Sequence, residues 1–145
     1  MSCDAAALLA SLWLAAAPAG PAPQVQPPTA VAQEPLFAEI VARAGALKAE
    51  VDAFRGKPVT VTPAFRKKIE ELAALDMQGH RLLAERGLDS DLKCILRGIS
   101  EDLPAKLKAL EAAASPAEQD TALRDMAYLL NDNVEVITAP PQAPV

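Results

Sequence analysis

The side chains best suited to chemistry in this sequence are its single histidine, His80, and a cysteine, Cys94. Met77 lies three residues before His80, and a methionine and a histidine can serve as axial haem ligands inside a helical bundle. The sequence has no C-x-x-C-H attachment motif and no H-x-x-x-H or E-x-x-H spacing for zinc. We therefore expect His80 to be an ordinary residue at the edge of the apolar stripe of its helix, and we predict no metal and no cofactor. Met77 and His80 are the candidate ligands of the alternative, a bundle that binds haem or another hydrophobic ligand.

Cys94 lies between the basic residues Lys93 and Arg97 in the segment DLKCILRGISEDLPAKLKAL. Nearby positive charge favours the reactive thiolate, so an exposed Cys94 could be reactive or form a disulfide between two molecules. A Cys94 packed against a neighbouring helix would instead act as a small apolar side chain. His80 is the only base that could activate it, and the sequence contains no Gly-rich phosphate loop and no G-x-S-x-G motif. The sequence predicts a protein that is not an enzyme.

The same segment keeps one helical phase along its whole length. Its apolar stripe consists of Leu92, Leu96, Ile99, Leu103, Leu107 and Leu110. Because the phase does not reset at Gly98 or Pro104, we predict a single helix kinked near Pro104; the alternative is two helices, the second capped by Ser100. The opposite side of this helix carries what we call the small-residue seam: Cys94, Gly98, Ala105, Ala109 and Ala112. Such a seam allows a second helix to approach closely, either from the same chain or from a partner.

Four helical segments must position these residues. The first spans residues 35–54, and the second opens with Thr62 as N-cap and Pro63 at the first helical position and ends near Gly87. The third contains the small-residue seam. The fourth opens with a capping box, S-P-A-E from Ser115, and is expected to end at Asn131 or Asn133. An aromatic content of 3% and short connections predict an all-α fold, an antiparallel up-down bundle of about four helices.

The two ends of the chain differ in composition from this bundle, which we place at residues 35–133. Residues 5–17 form an apolar run followed by an A-x-A pattern, so residues 1–19 are a predicted signal peptide, although no Lys or Arg precedes the run. The Pro-rich lead-in, residues 20–34, and the tail, residues 134–145, are predicted to be extended or disordered. The tail includes VEVIT, which could lie across the bundle or pair with a partner as a strand.

Charge and cleavage define the expected setting of the protein. The net charge of −5, with acidic and basic residues interleaved, argues against nucleic-acid binding. A cleaved signal peptide places the mature chain in the periplasm or outside the cell, with no membrane span; an uncleaved N-terminus would leave it in the cytoplasm. We expect a non-enzymatic helical protein that binds a protein partner or forms a homo-oligomer.

Overall fold

The computed structural model describes residues 28–87 and 91–139, and these residues form a helical bundle. The helices are α1 (Pro28–Ala32), α2 (Pro35–Phe54), α3 (Pro63–Glu85), α4 (Asp91–Ala112) and α5 (Pro116–Thr138). The predicted all-α fold is confirmed, and α2 to α5 correspond to the four predicted helices. The predicted signal peptide and residues 20–27 of the lead-in lie outside the described residues, as do residues 140–145 of the tail.

One core lies between the four long helices, because each helix turns its apolar stripe inward. The stripe of α2 is buried from Phe37 to Val51, and that of α4 from Leu96 to Leu110. The helices pack as a ring in which α3 contacts α2 and α4, while α5 contacts α4 and α2. The largest fully buried side chains come from all four: Phe37, Phe65, Ile40, Ile69, Leu72, Leu83, Leu96, Leu103, Leu123, Met126, Leu130 and Ile137.

Ion pairs on the outside show the relative direction of α2 and α3. From the start of α2 to its end, the pairing partners come from progressively earlier positions along α3, as antiparallel neighbours require. The pairs are Glu34 with Arg86, Arg43 with Glu71, and Glu50 with Lys68. Helices α3 and α4 show the same order, since His80 contacts Lys93 and Arg66 pairs with Glu111.

The helix starts follow the predicted capping chemistry with one difference. Thr62 Oγ1 accepts from Phe65 N–H at 3.1 Å, and Ser115 Oγ accepts from Glu118 N–H at 3.2 Å. The Glu118 carboxylate, however, accepts from Ala114 N–H at 2.7 Å and not from the N–H of the cap residue. The capping box is thus shifted by one residue in its second half, and it satisfies a backbone donor in the loop.

Helix α4 continues through Pro104, so the prediction of a single helix is confirmed and the alternative of two helices is wrong. Pro104 has no N–H for the carbonyl of Ser100, one turn earlier. Ser100 lies in the middle of α4 and is buried, and its Oγ donates to the carbonyl of Arg97 at 2.7 Å. The hydroxyl is therefore satisfied locally and does not cap a new helix. The predicted kink stays a prediction.

Both predicted boundaries of the bundle are wrong. Helix α5 runs on to Thr138, past Asn131 and Asn133, because Val136 and Ile137 bury their side chains in the core. This packing outweighs the β-propensity of the VEVIT segment. At the other end, part of the lead-in forms α1, which packs on α5 and α2 with Val31 buried.

The extended segment between α2 and α3 is held by a side chain of α5. The Gln119 amide donates from Nε2 to the Val59 carbonyl at 2.9 Å and accepts from Val59 N–H at 3.4 Å. Gln119 therefore takes the place of a neighbouring strand. Within the described residues there is no strand for this segment to join.

The extension of α5 can be tested by removing the Ile137 side chain. Ile137 is fully buried, so Ile137→Ala should lower the free energy of unfolding by about 2–4 kcal/mol in urea denaturation. Thr138→Ala, the matched control at the exposed neighbouring position, should change it by about 0.5 kcal/mol or less. Equal effects of the two substitutions would show that α5 does not contribute this turn to the core.

Candidate functional site

The small-residue seam lies on the outer face of α4. Ala105, Ala109 and Ala112 are exposed, and Cys94 and Gly98 are half-buried. A Cβ built on Gly98 would meet no atom within 4 Å beyond its own helix backbone, so no neighbour presses against this position. Among the described residues, no helix covers the three alanines.

The outer face continues from α4 onto α5 as a shallow depression. Its lining is mostly small: Ala109, Ala112, Ala113, Ala117, Thr121 and Ala122, with Lys106, Glu118 and Asp125 at the edges. On the same side of α5, Thr121 follows Ala117 by four residues and Tyr128 follows Thr121 by seven. Tyr128 is 70% exposed, and among the described residues no other large hydrophobic residue is exposed. A protruding aromatic ring and an alanine-lined depression thus share one face.

An ion pair at the edge of the depression joins the two helices. Lys106 Nζ donates to Asp125 Oδ2 at 3.1 Å. This hydrogen bond holds the pKa of Asp125 below its usual range, although burial acts in the opposite direction. The charge of Lys106 and a contact with Arg124 lower the pKa further. The ion pair thus neutralises two of the three charged side chains that line the depression, and the other lining side chains are small.

Met77 and His80 of α3 are both half-buried, and His80 contacts α4. The Nδ1 of His80 donates to the carbonyl of Lys93 at 2.6 Å, which ties the second half of α3 to the start of α4. Within the described ranges, no three His, Cys, Asp or Glu side chains come together as a metal site would require. The contact with Lys93 gives His80 a structural role between α3 and α4.

The centre of the bundle holds a polar pair that the sequence analysis missed. Asp76 of α3 and Asn133 of α5 are both 0% exposed, and Asn133 Nδ2 donates to Asp76 Oδ2 at 2.9 Å. The second oxygen of each group, Asp76 Oδ1 and Asn133 Oδ1, is buried without a hydrogen-bond partner. Buried polar atoms of this kind are uncommon and call for an explanation.

Burial changes the acidity of Asp76. Loss of hydration raises the pKa of the Asp76 carboxyl to about 8, while the hydrogen bond from Asn133 acts in the opposite direction. No charged neighbour contributes to this shift. Burial therefore favours the uncharged form of this carboxyl group.

The sequence contains a signal for this pair. Spacings of four and three residues carry the stripe of α3 through Phe65, Ile69, Leu72, Asp76, Gly79 and Leu83. The stripe of α5 runs through Leu123, Met126, Leu130, Asn133 and Ile137 in the same way. Asp76 and Asn133 thus occupy core positions of their helices. The prediction that α5 ends at Asn131 or Asn133 concealed the pair, because it left Asn133 out of the core.

Comparison with known proteins gives no relative from which a role could be transferred. No protein-family model, curated protein or solved structure matches this chain. Among the helices of the described residues, none is both long enough and apolar enough to cross a bilayer.

A double-mutant cycle measures how strongly Asp76 and Asn133 depend on each other. Asn133→Leu removes the only hydrogen-bond partner of a buried carboxyl group, and Asp76→Leu leaves a buried amide, so each should destabilise the protein by about 1–3 kcal/mol. The double variant replaces both groups by apolar side chains and should be more stable than either single variant. The free energy of unfolding in urea measures all four states. Additive losses would mean that the two side chains are independent.

Proposed function

We propose that the protein is an exported, non-enzymatic helical bundle that acts by self-association through the outer face of α4 and α5. The observation that supports this proposal is that the exposed Tyr128 and the alanine-lined depression lie on the same face of one molecule. In a two-fold symmetric dimer each copy presents the same patch, so a patch with one projection and one depression is self-complementary.

The chemistry of this face suits a second copy. Small side chains on the α4 side allow another helix to approach closely, and Tyr128 supplies the large aromatic side chain that interface centres favour. Asp132 lies one turn beyond Tyr128, while Lys106 lines the depression. Docking Tyr128 of one copy in the depression of the other would bring these opposite charges toward each other.

The area of this face is close to what a stable complex buries. Helix α4 has 22 residues and is therefore about 33 Å long. Two adjacent helices present a face roughly 20 Å wide, so the outer face approaches the area of about 800 Å² that each partner buries in a stable complex.

Sedimentation velocity of the purified mature chain tests self-association, and we expect a dimer. Tyr128→Ala should weaken dimerisation about 30-fold or more, because truncation of a central aromatic side chain costs about 2 kcal/mol. Ala109→Glu places a charge in the depression and should give a monomer. Ala74→Glu is the matched control, an exposed alanine on α3, and should leave the dimer intact. A monomeric wild-type protein at high concentration, or equal effects of the two glutamate variants, would contradict the proposal.

The proposed export rests on the sequence of residues 1–19. If the signal peptide is cleaved after the A-x-A pattern, the mature protein begins at Gly20. Mass spectrometry of protein isolated from the cells that make it should give the mass of residues 20–145. An intact Met1 would contradict export and favour the cytoplasmic alternative.

A further inference from the structure

The hydrogen-bonding groups of Asp76 and Asn133 do not match if Asp76 is ionised. A carboxylate only accepts hydrogen bonds, and an amide offers one acceptor oxygen beside its N–H donors. One Asn133 N–H is used on Asp76 Oδ2. Asp76 Oδ1 and Asn133 Oδ1 then remain as two buried acceptors with no donor between them. Two unsatisfied oxygens in a core are unfavourable, and both belong to this one pair.

A single proton removes both deficits. A protonated carboxyl group has one O–H donor, and the amide of Asn133 already faces the carboxyl group through its Nδ2. An O–H on Asp76 Oδ1 that donates to Asn133 Oδ1 closes a ring of two hydrogen bonds between acid and amide. We propose that the folded protein binds one proton at Asp76 Oδ1, and that this proton bridges to Asn133 Oδ1 and joins α3 to α5 by a second hydrogen bond.

The surroundings of the pair favour the neutral acid. The core side chains one turn along α3, around Gly79, are Phe37 and Ile40 of α2 and Leu96 of α4, which are apolar. Four titratable or charged side chains occur near the level of Asp76 along the bundle. Three of them have a hydrogen-bond partner other than Asp76, and the fourth is half-buried. Arg43 of α2 bonds to Glu39 and Glu71, Arg97 of α4 bonds to Glu101, His80 donates to the Lys93 carbonyl, and Asp132 of α5 is half-buried. None of them contributes to the raised pKa of Asp76, whose cause is burial.

The bound proton makes the stability of the bundle depend on pH. The pKa of Asp76 is about 8 in the folded protein, against an ordinary value of 3.8. Between these values the folded chain holds a proton that the unfolded chain releases, so the free energy of unfolding falls as pH rises. The full stabilisation is present below the ordinary pKa and is lost as pH rises through the folded pKa. The folding equilibrium constant should fall up to about tenfold per pH unit in this window.

Asp76→Asn is the variant that isolates this effect. The new amide offers an N–H where the acid offers an O–H, so it can keep the two-bond ring but cannot ionise. Urea denaturation should be compared between the wild-type protein and this variant at intervals from about pH 5 to about pH 9. The ratio of their folding constants should change up to about tenfold per unit and level off near the folded pKa of about 8. In Asp102→Asn, the matched control at an exposed aspartate of α4, the ratio to wild type should change less than about twofold over the same range.

Carbon-13 NMR of the aspartate carboxyl groups in the wild-type protein gives a second, independent result. One resonance, assigned to Asp76 by its loss in Asp76→Asn, should report a protonated acid at neutral pH and titrate near pH 8. If the variant does not fold, substitution of every other aspartate of the chain in turn assigns the resonance by elimination. A carboxyl carbon at Asp76 that is ionised at neutral pH, or parallel stability profiles of the wild-type protein and Asp76→Asn, would overturn the proposal. The first result would indicate that a buried water or cation satisfies the two oxygens.

Discussion

The hydrogen bond between Asp76 and Asn133 constrains the arrangement of the bundle, because it crosses the core. Helices α3 and α5 lie diagonally opposite each other, and their backbones make no close approach. A core of leucine, isoleucine and alanine alone would tolerate a shift of one helix along another at modest cost. A buried polar pair penalises every other alignment, since each shift would leave both groups without a partner.

The other polar contacts of the bundle are weaker constraints. The ion pairs between neighbouring helices, such as Arg43 with Glu71, are largely exposed, and such pairs contribute about 0–1 kcal/mol each. Close packing adds a second constraint at Gly79, one turn from Asp76. A Cβ there would lie 3.2 Å from Leu96 Cδ1 and 3.2 Å from Phe37 Cε1, so α2, α3 and α4 meet at a position that favours glycine. The alignment of the helices along one another thus depends on a short stretch of α3, from Asp76 to Gly79.

Local chemistry made most of this fold predictable, and non-local contacts account for the errors. The start of α3 at Thr62 and Pro63 and the stripe of α4 follow from rules that involve one or two turns of helix. The end of α5 does not, because Val136 and Ile137 are helical only through burial against other helices. The exposure of Tyr128 and the partnership of Asp76 with Asn133 likewise depend on which helices are neighbours. The candidate seam was visible in the sequence, whereas its exposure was not.

The buried pair and the outer face of α4 and α5 have separate roles: the pair fixes where α5 lies, and this position sets Tyr128 beside the alanine-lined depression. The proposed proton adds a second hydrogen bond to the pair. Infrared spectroscopy of the folded protein at neutral pH detects this proton, because the carbonyl stretch of a protonated carboxylic acid is separate from the bands of a carboxylate. We expect an acid carbonyl band that is absent in Asp76→Asn. A spectrum without this band would show that Asp76 is ionised and that the proposed proton is absent.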